Sequence, residues 1–200
     1  MKPFALAPDL LAEMYRHCAA GYPDEACGIL LGPTDGVADR VAPCNNIQND
    51  LHAADPVAHR RDARTAYLID PKDLFRLTRE ARDQDAEFKA IFHSHADVGA
   101  YFSDEDQRQA APFMTLSASA FSKSEGLTDA QLQACIENGT AKAQGDQITA
   151  RMPTYPELVY LVVDVTAGKA RGIRGFFWNE QQRTYLEIPV DTGVNGMVES

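Results

Sequence analysis

The chain has 200 residues, 44% of them hydrophobic and 24% charged, which suits one domain with a real core. Its 29 acidic and 19 basic residues leave a net charge of −10, which argues against a general nucleic-acid binder but leaves room for a local basic patch. No run approaches the ~20 apolar residues needed to cross a bilayer, so neither nucleic acid nor membrane is expected as a partner.

The N-terminal stretch MKPFALAPDLLAEMYRH does not read as a signal peptide, because Pro3, Pro8, Asp9 and Glu13 break its apolar positions. Residues 8–20 instead predict an amphipathic helix, with Leu10, Leu11, Met14, Tyr15 and Cys18 at helical spacing, Pro8 in the first turn and Gly21 at the stop. EACGILLG (25–32) predicts a buried strand, and GVADRVAPC (36–44) a strand returning from its turn. Residues 45–65 predict a long polar loop. Its HRRDAR cluster (59–64) reads as a solvated face, or as a contact for an acidic partner. AYLID (66–70) predicts a short strand, and Asp70-Pro71 opens a helix to about Asp83, capped by Asp70. EFKAIFHSH (87–95) predicts the next strand, and Ser103 caps the helix after it. Residues 113–154 read as an insertion with one helical piece, 127–139. Three strands follow at 157–165, 170–179 and 183–190, then a frayed tail from 191 to 200. This order predicts an α/β fold with a mixed sheet. The four cysteines, 18, 27, 44 and 135, show no CxxC spacing and read as reduced thiols of a cytoplasmic protein.

The chemistry lies in AIFHSHADVGAYFSDED, residues 90–106. Side chains alternate along a strand, so His93 and His95 point to one face while Phe92 and Ser94 point to the other. Two imidazoles on one face make a ready pair of zinc ligands, with Zn–N near about 2.0–2.1 Å. A catalytic zinc needs a third protein ligand and an open position for water. Asp104, Glu105 and Asp106 are all candidates by charge. Taken alone, two histidines at a strand end are ordinary, and Glu25 alone is a surface acid after Pro23-Asp24.

Together these residues resemble a known pattern. His93-x-His95, seven residues, Ser103, two residues and Asp106 reproduce the motif of the JAMM (MPN-plus) zinc metalloproteases, and PDEACGILLG resembles their upstream glutamate segment, with Glu25 as the glutamate. The resemblance covers residues 1–112 and 155–190. It implies one catalytic domain over 1–190 with a cytidine-deaminase-like, MPN-type mixed sheet flanked by helices. It implies Zn2+ held by His93, His95 and Asp106, Glu25 as general base, and Ser103 donating to the oxyanion. The implied activity is hydrolysis of a peptide or isopeptide bond after the Gly-Gly tail of a ubiquitin-like, sulfur-carrier-type protein. Two positions depart from the pattern: Ala96 and Phe102 stand where many relatives carry proline. Other HxH families fit less well; the metallo-β-lactamase pattern, for one, needs a histidine where Val98 stands.

The insertion 113–154 is expected to form a lid or a docking surface for the carrier protein. Its alternative is an oligomerisation arm, which would make the protein a homodimer. The competing reading of the whole chain is a catalytically silent scaffold of the same fold, which has no need of Glu25 beside an intact ligand set.

Overall fold

The structure is a computed structural model and describes residues 2–193. In chain order the elements are β1 (Phe4–Ala5), α1 (Pro8–Gly21), β2 (Cys27–Pro33), β3 (Arg40–Cys44), α2 (Gln48–Ala54), α3 (Pro71–Asp83), β4 (Ala86–Ala96), α4 (Asp104–Ala110), β5 (Phe113–Ser117), α5 (Ala118–Glu125), α6 (Asp129–Glu137), β6 (Ala141–Gln144), β7 (Gln147–Arg151), β8 (Val159–Thr166), β9 (Lys169–Asn179), β10 (Thr184–Ile188) and β11 (Val190–Asp191). They divide into two compact units. One holds the chain up to Phe102, Leu158–Phe177 and the residues from Glu187; the other holds Ser103–Glu157 and Trp178–Leu186. No helix among the described residues is long and apolar enough to cross a membrane.

A six-stranded sheet in the order β10-β9-β8-β4-β2-β3 is the frame. β3 with β2, β2 with β4 and β8 with β9 pair antiparallel, while β4 pairs with β8 in parallel, so the sheet is mixed and the fold is α/β. Parallel neighbours need a crossover, and everything from α4 to β7 lies in the chain between β4 and β8. β2 is buried over six consecutive residues and β4 over Ala90–His95, as expected of strands covered on both faces. The main core forms where Leu10, Met14 and Cys18 of α1 meet Leu30, Phe92 and Leu161 of the sheet. These three helix positions are four apart, one stripe of α1. Pro8 at the first turn starts α1 without a side-chain cap. α3 is started by Asp70, whose carboxylate accepts from the Lys72 N–H at 2.9 Å, and buries Leu77 and Ala81.

The second unit has its own antiparallel sheet, β5-β7-β6, around Phe121, Ala141, Ile148 and Ala150. Arg183 is buried in this unit. It donates to the Arg151 carbonyl, pairs with Glu125 at 2.8 Å, and lies over the rings of Phe121 and Trp178.

Several local expectations are corrected. The strand expected from residue 36 begins at Arg40, because Gly36 N–H closes a turn on the Pro33 carbonyl. AYLID forms only the single bridge of Ile69 to Asn46. The long loop 45–65 contains α2, and residues 113–154 contain three strands and two helices where one helical piece was expected. The last strand is broken after Ile188, and Asp191 pairs with Ala5 where fraying was expected. The rest of the expected tail, 194–200, lies outside the described residues.

Candidate metal centre

β4 carries His93 and His95 into the interior, both buried. Their Nε2 atoms are 3.2 Å apart. Each ring is held by groups that the sequence pattern did not single out. Tyr67 stacks on His93 with centroids 4.2 Å apart, and Tyr101 stands edge-on to His95 at 4.8 Å. His95 Nδ1 lies 3.1 Å from the Gly99 carbonyl. A carbonyl only accepts, so this contact makes Nδ1 the protonated nitrogen and leaves the Nε2 lone pair facing His93. No periodicity announces a backbone carbonyl. Tyr67 lay inside a segment read as a strand.

Glu25 is also buried. The β2–β4 register fixes the chain just after it: Cys27 is opposite His93, and Ala26 N–H donates to Ser94 Oγ while Ser94 N–H donates to the Ala26 carbonyl, each at 2.9 Å. Glu25 itself lies two residues before β2, beyond the last paired position, Cys27 with His93. Its backbone is fixed by the loop after β3. Glu25 N–H donates to the Ala63 carbonyl at 2.6 Å, and Asn46 Nδ2 donates to the Glu25 carbonyl at 2.8 Å. The HRRDAR cluster thus places Ala63 inside, while Arg60 and Arg64 are exposed. Cys27, opposite His93, has its thiol pushed up by burial, with Cys44 adding to the effect. It therefore stays protonated at neutral pH.

Ser103 and Asp106 form a reciprocal cap at the start of α4. Ser103 N–H donates to Asp106 Oδ2 at 2.7 Å, and Asp106 N–H donates to Ser103 Oγ at 3.2 Å. Ser103 Oγ accepts in this pair and keeps its own proton to donate. Phe102, one of the departures from proline, is buried against Tyr160 and Phe176 with centroids 5.3 and 5.2 Å away.

One ligand atom each from His93, His95 and Asp106 fall within 4.8 Å of one another, and all three residues are buried. Asp104 is exposed, and Glu105 ion-pairs with Arg108 at 2.6 Å. The donor set fits zinc. Imidazole nitrogens and a carboxylate are its usual ligands, and the two Nε2 atoms lie 3.2 Å apart, near enough for one ion to be held by both. Three protein ligands would leave a fourth position for water.

Residues 7–133 match the family model of prokaryotic homologues of the JAB domain, Prok-JAB. The chain belongs to this family. The matched stretch includes Glu25, His93, His95, Ser103 and Asp106. This Prok-JAB chain is similar to proteins named CysO-cysteine peptidase from Mycobacterium bovis and Mycobacterium tuberculosis, at 32% identity over 102 residues. The similarity covers 51% of this chain and 62% of each relative. Among solved structures, a protein of Desulfitobacterium hafniense shares the fold with a TM-score of 0.55 and 19% identity, over 94% of this chain and 91% of the other.

Proposed function

We propose that this Prok-JAB chain is a zinc-dependent peptidase that hydrolyses the bond after the Gly-Gly tail of a ubiquitin-like, sulfur-carrier-type protein. The observation that carries the reading is the buried His93–His95–Asp106 group, and a buried Glu25 two residues before β2 supports it. The name of the mycobacterial relatives supports the substrate class.

Zinc held by His93, His95 and Asp106 would supply a water acidified to a pKa of about 7 and a positive charge for the reacting carbonyl. Glu25 takes the water's proton on its carboxylate and passes it to the leaving amine. Ser103 Oγ–H donates to the oxygen on which negative charge develops. His95 keeps the Nε2 lone pair available because the Gly99 carbonyl holds its Nδ1 proton. Residues 113–154 serve as a docking surface. β5 is an edge of its sheet, and Phe113 and Met114 on it are exposed, a combination suited to an added strand.

The test is incubation with ubiquitin-like proteins carrying extensions after Gly-Gly, read by intact mass. Zinc-loaded protein is expected to release the extension and to hold about one zinc per chain. His95→Ala loses metal and activity; Glu25→Gln keeps metal and loses activity. Protein that takes up no zinc, or zinc-loaded protein that cleaves none of these substrates, refutes the proposal.

A further inference from the structure

Asp97 is the first residue after β4, two positions beyond His95, and its backbone sits at φ +63°. Few non-glycine residues adopt that conformation, although aspartate tolerates it better than most. Here it is fixed by three hydrogen bonds. Asp97 N–H donates to the Val165 carbonyl at 2.9 Å, Oδ1 accepts from Ala167 N–H at 2.8 Å, and Oδ2 accepts from Tyr22 Oη at 2.9 Å. Ala167 is in the turn between β8 and β9, and Tyr22 is three residues before Glu25. One carboxylate therefore ties the loop after the histidines to two other loops of the same unit.

That loop has a task at Gly99. Its carbonyl meets His95 Nδ1, and its backbone stands at φ +83°. A Cβ at Gly99 would meet nothing within 4 Å, so no neighbour on that side of the residue braces it. The carbonyl's direction is inherited from the loop's two anchors. One is Phe102, buried against Tyr160 and Phe176; the other is the Asp97 clasp.

We propose that Asp97 is a positioning residue. By clasping Ala167 and Tyr22 it aims the Gly99 carbonyl at His95, and so sets the tautomer that leaves Nε2 ready to bind a cation. Partners that orient a ligating histidine in this way change metal affinity by roughly 10–100-fold when lost. The inference rests on the metal-centre reading for its consequence, but the tautomer itself is a property of the metal-free chain.

The experiment uses the full chain in two measurements. Imidazole 15N shifts of His95 are recorded in metal-free protein, at a pH where the ring is neutral. Zinc affinity is then measured by competition with a chromophoric chelator. Wild type is expected to show the Nδ1–H form, and Asp97→Ala a mixture of both tautomers with zinc bound about tenfold more weakly. Asp97→Asn keeps an acceptor for the Ala167 N–H and recovers part of the loss. Tyr22→Phe removes a single bond, gives a smaller shift in the same direction, and decides the matter if Asp97→Ala does not fold. Asp97→Ala or Tyr22→Phe with the wild-type tautomer and wild-type zinc affinity overturns the proposal. A wild-type chain that binds no zinc refutes the peptidase reading, while the tautomer comparison still judges the clasp.

Discussion

Gly28→Ala is a direct test of how β2 holds the histidine strand. Gly28 is paired with Phe92 of β4 on one side and with Pro43 of β3 on the other. An added methyl would lie 2.6 Å from Phe92 Cε1 and 2.6 Å from the Ala42 carbonyl oxygen. Carbon–carbon contacts are optimal at about 3.5–4.0 Å, so a shift of about 1 Å is demanded. The ring is fully buried, and the carbonyl belongs to the backbone of a paired strand, so neither has free space to take it up. Overpacking of this kind costs about 1–3 kcal/mol. At roughly 2–4 °C per kcal/mol for a chain of this size, Tm should fall by roughly 2–12 °C. Calorimetry on the metal-free protein measures it. Phe92→Leu in the same chain should recover only part of the loss, because the carbonyl remains. The same displacement moves Cys27 against His93, so zinc affinity should fall in parallel. A Tm within about 1 °C of wild type, against the several degrees expected, would refute the steric argument.

Two further outcomes are expected. Asp73 is held below the usual carboxylate range by the Asn45 N–H, with Arg76 adding to it. A depressed folded value stabilises above the unfolded pKa of about 3.9 and is lost as pH falls through the folded one. Asp73→Asn should therefore melt below wild type at neutral pH, with the gap closing in the acid limb; a gap independent of pH would count against this. In the second unit, Glu125→Ala leaves the Arg183 guanidinium buried without its carboxylate, a loss expected to cost about 3–5 kcal/mol. Trp178, the one tryptophan of the chain, lies under that guanidinium and reports unfolding by fluorescence. An unchanged denaturation midpoint would contradict the buried-pair reading.

The sequence was most legible where periodicity and end signals agree. α1 and α3 appear within a residue of their expected bounds, because each joins a proline start to a stripe of apolar residues four apart. β4 was legible because a strand of this composition admits only one reading, and its alternation alone put both histidines on one face. α2 was not, since its one buried residue is the polar Gln48, whose Nε2 donates to the Arg61 carbonyl at 2.7 Å. A helix held by polar contacts leaves no apolar stripe to read. Of the five elements within 113–154 only α6 answers to the expected helical piece 127–139, and the other four escaped for a related reason. Their core is the small set Phe121, Ala141, Ile148 and Ala150, spread too thinly for a pattern. At the site, the residue types were visible, but the groups that aim them were not. Gly99 acts through its carbonyl, and Ala63 through a backbone bond to a residue 38 positions earlier.

The parallel pairing of β4 with β8 sets a schedule for the newborn chain. Ala96 must wait for Val165, its partner, and for the second unit's main segment between them, to leave the ribosome. At 5–20 residues per second, that is a delay of roughly 3–14 s. Through it, one side of β4 stays bare, an adhesive margin that another chain could claim. Rapid local folding of the intervening segment would shorten the tether and hasten closure.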